Sequence, residues 1–162
     1  MDFDLIKKIL SHFALANYLP ELDSVIGWIE LLARIAVLAG PLLMLGMGLW
    51  YFLAPPKEAN HTIGYRCYFG MGSVEAWQFT QRLAGIVWAC LGLILSIVMA
   101  IICNGYRGMD TMDMLYNAIA CLLWEAGLTL LSIVAINITV MIRYDGRGYL
   151  RRWWEKEEKE EV

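Results

Sequence analysis

Residues 83–103 read LAGIVWACLGLILSIVMAIIC, an unbroken apolar run from Leu83 to Cys103 that carries no charge. As a helix rising about 1.5 Å per residue, this run is about 32 Å long and matches the roughly 30 Å of bilayer hydrocarbon. The stretch therefore reads as a membrane-spanning helix. Within it Gly85, Ala89, Gly92, Ser96 and Ala100 recur on one face. Small faces are how membrane helices bring their backbones close, so this stripe predicts a packed helix partner.

Two further apolar runs flank it. Residues 35–54 are uncharged and end at Trp50, Tyr51 and Phe52, an aromatic interface mark, before Pro55-Pro56 stops the helix. Asp23 and Ser24 are good capping types for its start, and Gly40-Pro41 predicts a bend in its middle. After Cys103, Asn104-Gly105 breaks the helix and a polar loop with Arg107, Asp110 and Asp113 leads into a third apolar run over 115–142. That run is long enough to cross with tilt or to begin outside the hydrocarbon.

The composition agrees. Of the 162 residues, 59% are hydrophobic and 18% charged, with mean hydropathy +0.53. Soluble domains run about 45 to 50% apolar and about 25% charged, so a soluble enzyme is excluded. A net charge of −3, with no long Lys/Arg block, excludes nucleic acid as a primary partner. Cys67, Cys90, Cys103 and Cys121 are too widely spaced for a zinc knuckle or a disulfide framework. His12 and His61 are isolated, Gly70-Met71-Gly72 lacks the Lys of a phosphate loop, and no Ser sits in a nucleophile elbow. No catalytic residue, metal site or cofactor is expected.

The ends differ from the middle. Over 1–20, Leu5, Ile6, Ile9, Leu10, Phe13 and Ala14 fall on one helical face and Asp4, Lys7, Lys8 and Ser11 on the other. This predicts an amphipathic helix lying in the membrane interface or packed on the protein's own spans. The three spans with their loop over 55–82 occupy 21–142, and 143–162 reads as a charged tail, basic through Arg152 and acidic from Glu155. With three crossings, Lys7, Lys8 and Arg107 share one side. The other side holds Lys57, Arg66, Arg82, four tail arginines, Lys156 and Lys159. The positive-inside rule places the N-terminus outside and the C-terminus in the cytoplasm.

The loop carries the most specific pattern, NHTIGYRCYFGMGSVEAWQFTQRLAG over 60–85. Gly64 permits a turn, and Tyr65, Arg66, Tyr68, Phe69 and Trp77 supply amphipathic rings and a forked cation at the membrane boundary. Ser73 reads as the cap of a short helix running into the second span. Asn60, Arg66 and Trp77 can lock an interfacial structure used for recognition; alternatively, Arg66 snorkels to phosphates and the rings form an ordinary belt.

The string resembles the signature of the SdpI family of bacterial membrane proteins, named for immunity to a secreted peptide toxin. Asn60, Gly64, Tyr65, Arg66, Met71, Trp77, Phe79 and Arg82 stand at the family's spacing, between two apolar helices. Cys67, Gly70, Ser73 and Gln81 depart from its usual Thr, Ser, Asn and Asn. The resemblance implies an all-helical protein of the bacterial cell membrane that intercepts or senses an amphipathic antimicrobial peptide by binding, with Asn60, Gly64, Tyr65, Arg66, Trp77, Gln81 and Arg82 as the recognition loop. The alternative is a structural or transport-associated subunit that forms a homo-oligomer, or joins another membrane protein, through the small-residue face.

Charges inside the spans cost at least ~2.5 kcal/mol each on insertion scales, so Glu30, Arg34 and Glu125 call for partners. Glu30 and Arg34 share a helix face at i,i+4 spacing. Glu125 starts from the same membrane side, so an Arg34–Glu125 pair across helices is expected, unless Glu125 reaches interfacial water. Asn137 is a further polar group able to bond across helices.

Overall fold

The computed structural model describes residues 25–59 and 62–151. The amphipathic segment over 1–20, the Asp23-Ser24 cap, Asn60, His61 and the tail beyond 151 lie outside the described residues.

Three long helices make the fold: α1 (Val25–Leu53), α2 (Val74–Asn104) and α3 (Thr111–Arg143). Each contains a window long and apolar enough to cross a membrane, and only 22 to 28% of those windows is buried within the protein. Much of the rest faces outward, as a lipid-facing chain requires, because in a bilayer the apolar exterior costs nothing and each helix satisfies its own backbone.

Helix starts follow local chemistry. Ser73, extended at φ −149°, accepts from the Ala76 N–H at 3.1 Å and begins α2, so the short loop helix merges directly into the second span. Asp110 caps α3 by accepting from the Met112 N–H at 3.1 Å. α1 runs continuously through Pro41, whose missing N–H leaves the Val37 carbonyl without its helical donor.

α1 and α2 form the main interface, and α3 packs on both. A Cβ on Gly85 would stand 2.7 Å from the Phe52 nitrogen, and one on Gly92 would stand 2.5 Å from the Leu45 nitrogen; Gly48 abuts the Ala89 backbone. The α1 number falls as the α2 number rises, so the helices are antiparallel. The small-residue stripe is thus consumed inside the chain at Gly85, Ala89 and Gly92; Ala100 remains exposed and the Ser96 hydroxyl is buried without a hydrogen-bond partner.

Two buried clusters close the bundle at its ends. Near the 105–110 loop, Val37, Met99, Cys103, Tyr106, Met114 and Cys121 pack together. Near the 54–73 loop, Tyr51, Tyr65, Ala84, Ile136, Val140 and Tyr144 do the same. Immediately beyond α3, residues 144–150 form a short hairpin: Tyr144 bridges Leu150, and the Asp145 carboxylate accepts from the Arg147 and Tyr149 N–H groups, each at 2.9 Å.

Candidate functional site

The 62–73 loop is fastened to the bundle by side chains standing in for backbone. Gln81, buried on α2, accepts from the Tyr65 N–H at 2.8 Å and donates to the Tyr65 carbonyl at 2.7 Å. Gly64 precedes this clasp at φ +118°, a region that L side chains rarely adopt, and a Cβ there would stand 2.7 Å from the Trp77 ring. Trp77 is fully buried and its indole N–H donates to the Pro56 carbonyl at 2.8 Å, tying both arms of the loop together.

Tyr65 extends the clasp to α3. Its hydroxyl donates to Asn137 Oδ1 at 3.0 Å, and its ring meets Trp88 edge-on at 5.4 Å. Burial, with a smaller contribution from Cys67, pushes its phenol up to about 12. Asn137, expected to bond between spans, therefore serves the loop. Cys67 is likewise pushed up by burial, partly offset by hydrogen bonds from Gly70, Thr80 and Phe69. The hairpin over 144–150 locks on from the other side. Ser73 Oγ donates to the Gly148 carbonyl at 2.7 Å, while Gly72 and Gly148 pass so closely that neither has room for a Cβ. Arg143 lies 4.5 Å from the Phe79 ring centroid.

The signature residues thus part into two environments. Gly64, Tyr65, Trp77 and Gln81 form the internal lock, whereas Arg66 and Arg82 are exposed at the surface. Arg66 and Trp77 do not make one exposed recognition patch, because the indole is spent on Pro56.

The charges at membrane depth also separate, which corrects the expected cluster. Arg34 Nε donates to Glu30 Oε1 at 3.0 Å within α1. Glu125 does not pair with Arg34: it is 7% exposed, and its Oε1 has no hydrogen-bond partner. It sits at the middle of α3 against Gly40, where a Cβ would stand 2.8 Å from Oε2. A Cβ at that point of α1 would make the carboxyl shift.

Between the two packed ends, α1 and α3 part to leave a cleft of about 600 Å³ open to the surroundings. Met44, Met47, Leu122, Leu130 and Trp88 line it, with Glu125 its one ionisable group. Because these walls fall within the spans, the cleft opens toward lipid. Sequence reading missed the cleft, the hairpin and the role of Gly40. Asp145-Gly146 was a turn signal available for the hairpin. Gly40 beside Pro41 read as a bend, and nothing local pointed from it to Glu125.

Compared with known proteins, the chain matches the sequence model of the SdpI/YfhL protein family over residues 57–144, more than half its length. No curated protein and no solved structure matches it.

Proposed function

The chain belongs to the SdpI/YfhL protein family, and on that premise we propose that it gives immunity to, or senses, a membrane-active antimicrobial peptide by binding it within the bilayer. The observation that carries this reading is the apolar cleft between α1 and α3, which falls in the size range of ligand sites, about 300 to 1,000 Å³, and faces the phase where such a peptide dissolves. The apolar face of a helical peptide fits such walls as it fits any hydrophobic groove. Met44 and Met47 suit variable partners because their side chains repack readily.

Trp88 supplies a route for response. It lines the cleft, touches the Tyr65 ring and donates to Ser132 Oγ at 3.2 Å, so a ligand displacing it bears on the loop clasp. With the loop and C-terminus in the cytoplasm, as the distribution of Lys and Arg supports, occupancy in the membrane is felt on the inner surface. A reporter enzyme fused to the C-terminus is expected to be active only in the cytoplasm. Assembly through the small-residue face is the weaker reading, since α1 already covers Gly85 and Gly92.

The test is survival. Expressed in a sensitive bacterium and verified in its membrane, the chain is expected to raise survival against at least one member of a panel of amphipathic antimicrobial peptides. Unchanged survival across the panel overturns the reading.

A further inference from the structure

We propose that Glu125 is the specificity group of the intramembrane cleft, and that the cleft takes a helical peptide through a lysine ammonium set within the peptide's apolar face. The inference rests on the peptide-binding reading and names the chemistry selected.

Three observations meet at this carboxyl. Its burial leaves 7% of the residue exposed, and Oε1 is without a hydrogen-bond partner. Buried polar groups in folded proteins are almost always bonded, and an unmatched one in a span marks a place where something else supplies the bond. The nearest cation of the spans, Arg34, is held by Glu30 more than one helical turn away along α1, and Arg34 lines a different cleft with Ala100 and Asn104. Finally, α1 presents Gly40 at this level, so the carboxyl lies against bare backbone beside the cleft instead of behind a side chain.

The surroundings define the ligand. Besides Glu125 the lining carries one hydroxyl, that of Thr129, and is otherwise apolar, so a ligand must bring an apolar body, and the single acidic group rewards one donor or one positive charge. A lysine in an apolar helix face meets both needs. Its four-carbon stem packs on Met44 and Leu122 while the ammonium pairs with the carboxylate away from water, where each charge otherwise costs heavily. A wholly apolar helix leaves the carboxyl unmatched, and a strongly charged one cannot enter the lipid-facing mouth.

The test uses the full-length protein in phosphatidylcholine and phosphatidylglycerol nanodiscs, with dicyclohexylcarbodiimide as the probe. This hydrophobic reagent reaches carboxyl groups from the lipid phase. The carboxyl O–H adds across one C=N bond, and acyl transfer to nitrogen leaves a stable N-acylurea with no atom lost. Peptide mass mapping is expected to find the adduct on Glu125 and not on Glu30. A synthetic Leu/Ala helix with one central Lys is then expected to slow labelling of Glu125 roughly tenfold at about ten times its Kd, while its norleucine twin leaves the rate unchanged. With a benzophenone placed at the same position of both peptides, Glu125→Gln, a near-isosteric change, is expected to reduce photocrosslinking of the Lys peptide to the level of the norleucine peptide while the unfolding temperature holds or rises. No adduct at Glu125, equal protection by both peptides, or protection by neither overturns the inference. Equal protection leaves peptide binding standing without cation selection, and loss of survival in the challenge assay with Lys-specific protection intact removes the immunity reading alone.

Discussion

The Gln81 side-chain amide pairs with both backbone groups of Tyr65, at 2.8 and 2.7 Å, across sixteen positions of sequence. A side chain thereby completes hydrogen bonds that an irregular loop cannot make for itself, and the buried Tyr65 backbone keeps its polar groups matched. The 62–73 loop is thereby fastened to α2 at Tyr65.

Removing that amide orphans two buried backbone groups. Gln81→Ala is expected to destabilise the fold by about 1 to 3 kcal/mol for each group, and Gln81→Asn, one methylene shorter, by nearly as much because it cannot span both. Thermal unfolding in mild detergent, followed by tryptophan fluorescence, reads the loss; an unchanged Tm for Gln81→Ala contradicts the clasp.

Glycines of the α1–α2 interface differ from those facing outward. Gly92→Ala places a Cβ 2.5 Å from the Leu45 nitrogen and Gly85→Ala places one 2.7 Å from the Phe52 nitrogen; backbone cannot step aside, so each is expected to cost about 1 to 3 kcal/mol. Gly46 and Gly127 have nothing within 4 Å of such a Cβ, and their Ala variants are expected to match or exceed the parent, since Ala favours a helix by about 1 kcal/mol over Gly. The four unfolding temperatures should fall in two groups. All four shifting alike would contradict the packing.

The Tyr65 hydroxyl bridges the loop to α3 through Asn137. Tyr65→Phe is expected to lose about 0.6 to 1.7 kcal/mol, the range of such bonds in membrane proteins. Its phenol is pushed up from 10.0 to about 12, so the unfolded chain ionises first and the native state loses stability as pH rises between those values. Stability measured from pH 9 to 12 should fall off less steeply in Tyr65→Phe than in the parent.

At acid pH the hairpin is the sensitive element. Asp145 sits below its ordinary 3.8, held there chiefly by the Tyr149 N–H, then the Arg147 N–H and the charges of Arg147 and Arg151. A lowered native value means a contribution present above 3.8 and lost as pH falls through the native value. Exchange of the Tyr149 amide hydrogen is expected to quicken below pH 4 in the parent and to be pH-independent, beyond the intrinsic chemistry, in Asp145→Asn.

What could be read without the structure was whatever is local or additive. Three crossings follow from apolar runs 83–103, 35–54 and 115–142, because transfer into lipid sums residue by residue and each helix closes its own hydrogen bonds. Ser73 as a cap is legible for the same reason: its oxygen serves an N–H three residues on. The loop's spacing identified the family, yet it did not say that Trp77 and Gln81 turn inward while Arg66 turns out. Those outcomes depend on how each helix is rotated about its axis and slid against its neighbours. That arrangement is fixed where Gly48, Gly85 and Gly92 let α1 and α2 touch, and it alone decides that Arg34 keeps Glu30 and that Glu125 faces Gly40 at the edge of an apolar cleft. Periodicity along one chain carries no record of the register between two.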